Sequence, residues 1–255
     1  MYTYLYNNNS ESGNALSQAL GALRIRHEGS SFRGHHNKVV VNWGSGDLPR
    51  EVRRCTVINT ENAVATAINK LACFQALQRA GVPHVEFTTH RNDAVSWIER
   101  DRATVYARGR ISGHDGAGLT THNSVIGLPN VRLYTKGVTI DQEYRVTVVK
   151  SGTDFQVLAG QRKVKHDDAE RTTNNLVRTS SNGWGFKLIN HERYLPASVR
   201  TCAVGACSAL GLDFCGVDVV LLPDGSARVL EVNTAPELTL TVLQRLATHL
   251  RNNYE

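Results

Sequence analysis

No stretch of the 255 residues reaches the roughly 18 consecutive apolar side chains of a membrane-spanning helix. The opening MYTYLYNNNSESGN lacks the basic region and apolar core of a secretory signal. The five cysteines (Cys55, Cys73, Cys202, Cys207, Cys215) form no CxxC pair and no zinc-like array, and they read as reduced, buried thiols of a cytosolic protein. His35-His36, His84, His90, His122, His166 and His249 have no metal-like spacing, and no Ser-His-Asp or Cys-His arrangement can be argued. Internal repeats and low-complexity tracts are missing. So are a nucleic-acid-binding motif and aromatic-basic interleaving, which disfavours nucleic acid as a partner.

What is present is ordinary globular composition, 41% hydrophobic and 20% charged, with a net charge of +6. Basic residues concentrate between Lys150 and Arg200. Such an excess is either a solvated face or a site for polyanions such as nucleotides and phosphorylated substrates. Patterning predicts strands at 2–6 and 38–43 with a helix over 13–23 between them, a compact β-α-β start. Residues 61–80 read as helix, with a break near Asn69-Lys70 and Gly81 at the stop. Strand, helix and strand follow at 85–88, 93–100 and 104–108. The last runs into GRISGHDGAGLTT, with four glycines. Strands are expected at 131–135, 143–149 and 155–159, a polar loop over 164–185, a helix over 197–210 and a closing helix over 239–251.

The hairpin GLDFCGVDVVLLPDGSARVLEVNTAPELT carries the chemistry. With Leu222 facing Ala227 across the turn, paired residue numbers keep a constant sum, and Asp218 lies opposite Glu231; a bulge would break this register. Asn233 shares the face of Glu231. Two acids facing each other repel, so one is protonated or a cation sits between them. On that view, neutralising one acid raises the melting temperature of the ligand-free protein. An Asp, a Glu and an amide oxygen suit magnesium or manganese rather than zinc.

This line strongly resembles the closing motif of ATP-grasp enzymes, the fold of D-alanine–D-alanine ligase and other carboxylate–amine ligases. NKLACFQALQRAGVPHVEF resembles that family's lysine-bearing helix and Gly-x-Pro turn. TVYARGRISGHDGAGL resembles its strand and glycine-rich flap, and RLYTKGVTIDQEYRVTVV its adenine hinge with a ribose-binding glutamate. The resemblance spans Asn69 to Thr239, and within the family it extends to small proteins encoded by bacteriophages. It implies an α/β (α+β) ATP-grasp fold, with a small N-terminal α/β unit at 1–60, an N-terminal subdomain with the flap at 61–135, and a C-terminal subdomain with the metal hairpin at 136–255.

By resemblance, Asp218, Glu231 and Asn233 hold Mg2+ (or Mn2+) with ATP. Lys70, Arg108, Lys163 and the glycines Gly113, Gly116 and Gly118 meet phosphates. Lys70, read as a mid-helix lysine, is the weakest of these. Tyr134, Thr135 and Lys136 form the adenine hinge, and Glu143 binds ribose. Arg145 pairs with Glu143 or reaches substrate, while Arg178 and, less strongly, Asn182 lie near phosphates and acceptor. The chain departs from the family at Arg108, where a lysine is usual, and at Gly216, where dipeptide ligases often carry a substrate-gripping arginine. The implied activity is ATP-dependent C–N ligation through an acyl phosphate. Its substrates are small-molecule or peptide carboxylates and amines, with a protein target possible, in the cytoplasm (a host's, if phage-encoded). A kinase-like outcome and a non-catalytic basic nucleotide- or nucleic-acid-binding protein are the alternatives.

Overall fold

The computed structural model describes residues 1–112, 118–165, 176–178 and 182–254. The N-terminal unit comprises β1 (Tyr2–Leu5), α1 (Glu11–Leu20), β2 (Leu23–Arg24), β3 (Val39–Trp43), α2 (Arg50–Arg53) and β4 (Thr56–Ile58). Its parallel sheet runs β2-β1-β3-β4. Two helices follow, α3 (Glu61–Ile68) and α4 (Lys70–Arg79). The predicted break is real: Asn69 leaves helical space (φ −87°, ψ 102°), and its side chain caps α4 by accepting from Ala72 N at 3.1 Å. Gly81 stops the helix in the left-handed region, at φ 67°.

A small antiparallel sheet comes next, from β5 (Phe87–Thr88), α5 (Arg91–Glu99), β6 (Val105–Arg108), β7 (Leu119–His122) and β8 (Leu133–Lys136), in the order β5-β8-β6-β7. The strand expected at 85–88 is only two residues long. Before it the chain is tied to a distant strand instead, with Val85 N donating to Val229 O at 3.1 Å. The large sheet is built from β9 (Gln142–Ser151), β10 (Asp154–Lys165), β11 (Trp184–Leu188), β12 (Phe214–Leu221) and β13 (Ala227–Asn233), in the antiparallel order β11-β10-β9-β12-β13. Helix α6 (Ala197–Ala209) precedes β12, and α7 (Leu240–Tyr254) closes the described chain. The loop expected over 164–185 is partly strand, since β10 runs to Lys165 and β11 begins at Trp184. A polar sequence hid both ends because their cleft-facing residues are charged or aromatic rather than aliphatic. No helix among the described residues is long and apolar enough to cross a membrane.

Strand alternation gives the large sheet two unlike faces. Val146, Val148, Val217, Val219, Val229 and Val232 point to one side and join Val64, Phe74, Leu77, Val199, Ala203 and Cys207 in the main core. Burying each such side chain contributes about 1.5–3 kcal/mol, which leaves no doubt over which face turns inward. On the other face, Val149 and Phe214 pack with Trp43, Leu16, Leu246 and Leu250 of the N-terminal unit and α7. Fully buried Asn59 fastens the two bodies: its Nδ2 donates to Phe214 O at 2.9 Å, and its Oδ1 accepts from Asp213 N at 2.8 Å. The rest of that second face is left for the site.

The hairpin register corrects the expectation in two places that cancel. Leu221, not Leu222, faces Ala227. The turn is Pro223-Asp224-Gly225, with Gly225 in the left-handed region at φ 81° and Gly225 N donating to Leu222 O at 2.9 Å. A bulge then shifts β13 by one residue between its pairings with Asp218 and Val219, and Asp218 faces Glu231 after all.

Candidate functional site

The open face of the large sheet is a grid of polar side chains. One row crosses it as Gln161, Arg145, Asp218 and Glu231, each directly paired with the next. One row further, Phe186 faces Lys163, and Glu143 stands two residues from Arg145 on the same side. In the other direction Thr147 faces Gly216 and Gly216 faces Asn233. The N-terminus of α4 brings Lys70 over this grid, and the small sheet brings Tyr106 and Arg108. Together they enclose a cleft of about 600 Å³, also lined by Thr135, Lys136, Arg178, Trp184 and Glu237.

The acids in the cleft are not left to repel one another. Arg145 grips Asp218 bidentately, Nε to Oδ1 at 2.7 Å and NH2 to Oδ2 at 2.8 Å. Lys70 Nζ donates to Glu231 Oε1. Lys163 Nζ meets Glu143 Oε1 at 2.5 Å. The repulsion expected to be met by a proton or by a cation between the acids is met by a separate side-chain cation on each of Asp218, Glu231 and Glu143, so neutralising one acid strands a cation rather than raising the melting temperature. The geometry also corrects the pairing expected for Arg145, whose partner is Asp218 rather than Glu143. Lys70 is the first residue of α4, not a mid-helix lysine.

A structure of the ATP-grasp ligase PsnB, complexed with a phosphomimetic variant of its minimal precursor, Mg and ADP, superposes with a TM-score of 0.69 at 15% identity, covering 100% of this chain and 98% of that one. D-alanyl-alanine synthetase A from Vibrio cholerae gives 0.70 at 12% identity, covering 99% and 98%. Carboxyaminoimidazole ribonucleotide synthase from Aspergillus clavatus, complexed with ATP, gives 0.64 at 14%, covering 94% and 71%. The chain has the ATP-grasp fold. No family model matches the sequence, and no curated protein matches it.

Within this ATP-grasp fold the predicted residues fall into three groups. Lys70, Arg108, Glu143, Arg145, Lys163, Arg178, Asp218, Glu231 and Asn233 all line the cleft. Thr135 and Lys136 line it too, but the Lys136 ammonium is drawn to Asp101 at 2.9 Å and Glu86 at 3.1 Å. Tyr134 does not reach it. Its ring is fully buried with Ala94, Ile98 and Leu128, and its hydroxyl donates to Pro129 O at 2.7 Å. Gly118 closes the base of the glycine loop, accepting from Gly109 N at 2.9 Å in the left-handed region (φ 76°). Gly113 and Gly116 lie outside the described residues. Asn182 donates to Val177 O at 2.7 Å, and the Arg178 guanidinium lies 4.8 Å from the Trp184 ring centre.

The electrostatics follow from burial and partners. Burial works against the Arg145 charge, yet Asp218's charge and hydrogen bonds hold its pKa above the ordinary guanidinium value. Burial raises the Glu143 carboxyl above the usual range, with Lys163 pulling the other way. Arg108 forms no ion pair among the described residues, though the charge of Glu231 favours its charged form. Burial lowers its pKa, and its Nε is buried without a hydrogen bond.

Sequence reading missed Gln161, Trp184 and Phe186. Among the described residues, Gln161 Oε1 and Trp184 Nε1 are buried without hydrogen-bond partners. The Phe186 ring lies under both Arg145 (4.3 Å) and Lys163 (4.9 Å). Gln161 could have been found from its place two residues before Lys163. The aromatics could not be found without recognising β11.

Among the described residues no three His, Cys, Asp or Glu side chains cluster as ready metal ligands. The donor set Asp218, Glu231 and Asn233 nevertheless fits a hard divalent cation. All its ligating atoms are oxygens, they share one face and open into the cleft, and both carboxylates already attract cationic groups.

Proposed function

We propose that this chain is a Mg-ATP-dependent carboxylate–amine ligase that works through an acyl phosphate. The observation that carries the reading is the pairing of Asp218 with Glu231, beside Asn233, facing a cleft that also gathers Lys70, Arg108, Arg145, Lys163 and Arg178. That density of cations matches a polyphosphate better than a neutral ligand. The fold supports it, and so does the likeness to PsnB, a ligase bound to Mg, ADP and a precursor variant, which makes a peptide carboxylate one candidate substrate here.

Asp218, Glu231 and Asn233 would hold the metal, whose chemistry is to neutralise phosphate charge. Arg108 meets phosphate oxygens with its guanidinium fork, and its buried, unpartnered Nε is supplied with an acceptor. Arg145 keeps Asp218 oriented through two parallel bonds. Thr135 and Lys136 would wall the base, although the Lys136 backbone N–H already donates to Glu86 O at 2.9 Å, and Glu143 would accept from ribose hydroxyls. The substrate carboxylate then attacks the γ-phosphate, releasing ADP, and an amine displaces phosphate from the acyl phosphate. Such transfer needs in-line positioning and charge neutralisation more than covalent help from the protein.

A thermal-shift titration with ATP and ADP, with and without magnesium, tests the nucleotide site. ADP release against pooled amino acids, peptides and amines, with product analysis for a new amide, tests the reaction. Nucleotide binding that gives a phosphorylated product and no amide would point to phosphotransfer; no nucleotide binding at all would sink the reading.

A further inference from the structure

The two ion pairs on the hairpin acids are built differently. Arg145 faces Asp218 across neighbouring strands, donates through two nitrogens, and lies against the Phe186 ring at 4.3 Å. The pair is well buried, with side-chain exposures of 14% and 9%. Asp218 Oδ1 uses one lone pair on the guanidinium and keeps another, while Oδ2 also accepts from Asn233 Nδ2 at 3.4 Å. Lys70 is a point charge on a flexible stem, with one contact to a carboxylate that is 39% exposed.

Lys70 also stands where helix stability does not want it. It is the first residue of α4, where the backbone dipole already places positive charge and a cation is unfavourable. The helix has its cap in Asn69, so Lys70 supplies none of it. Its backbone N–H donates at 2.8 Å to Ile111 O, just before the glycine loop, so the lysine sits where the small sheet, α4 and the hairpin converge.

Resting on the nucleotide and metal reading above, we propose that Lys70 is a resident counter-ion. It holds Glu231 while the cleft is empty and transfers to a phosphate oxygen when nucleotide and metal enter together, whereas Arg145 stays on Asp218 and orients it. A divalent cation entering alone must displace Lys70 and leave a buried ammonium without an anion. A nucleotide entering alone draws Lys70 away and leaves Glu231 facing phosphate charge. Together the ligands exchange partners and every charge is matched. Each therefore raises the other's affinity by the same factor, and Lys70 sets much of that factor.

The test is Mn2+ binding to the full chain, read from the free-ion electron paramagnetic resonance signal, with and without ADP, in wild type, Lys70→Met and Arg145→Lys. Lys70→Met is expected to bind Mn2+ without nucleotide roughly tenfold more tightly than wild type, because the competing cation is gone. It is also expected to bind metal-free ADP more weakly, so the coupling between the two ligands shrinks. Arg145→Lys is expected to weaken Mn2+ binding whether or not ADP is present. Unchanged or weaker nucleotide-free Mn2+ binding by Lys70→Met, with Lys70→Gln agreeing, overturns the proposal. That arm needs no nucleotide, so it stays decisive if ADP fails to bind wild type, a result that would instead overturn the nucleotide reading. Thermal melts of each variant confirm that the folded chain is being measured.

Discussion

The two sheets that form the cleft treat charge in opposite ways. On the large sheet each acid is matched: Asp218 by Arg145, Glu143 by Lys163, and Glu231 by Lys70 of α4. On the small sheet Lys136 is matched by Asp101 and Glu86, but Arg108 is buried with no ion pair among the described residues, only the charge of Glu231 beyond salt-bridge reach, and its Nε has no partner there. The acids of the first surface are directly paired when the cleft is empty, whereas Arg108 of the second is not. A buried, unmatched cation is a cost that the fold carries until an anion arrives, while a buried matched pair is strongly resistant to loss of either half. The difference marks the small sheet as the side that receives added negative charge, and the large sheet as the side that must be rearranged to take added positive charge.

Substitutions at the two sheets should therefore move stability in opposite directions. Asp218→Ala has the largest expected effect. It strands the Arg145 guanidinium and should lower unfolding free energy by about 3 kcal/mol in urea titration, with loss of magnesium-dependent turnover by on the order of a hundredfold or more. A ligand-free protein made more stable by this change would break the comparison. Asn59→Ala removes a fully buried network outside the cleft and should cost about 2 kcal/mol while leaving nucleotide affinity unaltered, a control for plain destabilisation. Arg108→Met should do the reverse of Asp218→Ala: the ligand-free melting temperature rises, by about 1 kcal/mol of stability, while ADP affinity falls about tenfold by calorimetry. A fall in both would show that Arg108 is a structural cation. Phe186→Leu removes the ring beneath Arg145 and Lys163 and should cost about 1 kcal/mol without abolishing nucleotide binding. The smallest signal comes from Cys73, whose thiol burial pushes up to about 12. It should resist iodoacetamide at pH 8 until denaturant is added, and early labelling would show that the packing beneath Lys70 is looser than described.

Much of this was legible before the fold was known, though not always for the reason given. The α3–α4 break was readable because Asn69 is a strong cap former, and the alternation in EYRVTVV marked β9 as a strand with one charged face. The opposition of Asp218 and Glu231 came out right only because a one-residue error at the turn was undone by a bulge in β13, and neither feature has a clear signature in those residues. The ends of β10 and β11 were lost because the periodicity there follows a cleft and not a core. Tyr134 was placed at a hinge by resemblance, yet its side chain fills the core of the small sheet.

By itself the sequence determined the local chemistry: two acids and an amide on one hairpin face, a glycine-rich turn after a strand ending in arginine, and a basic excess in search of anions. These follow from strand periodicity and turn chemistry, which act over a few residues. Only the tertiary structure decided which cation meets which acid. Arg145 is 73 residues from Asp218 in the chain, and Lys70 is 161 from Glu231. Their meeting depends on β9 lying beside β12 and on α4 beginning over β13. That strand order and helix packing are settled by burial of the opposite, aliphatic face, and the charges are carried into register by a core to which they do not belong.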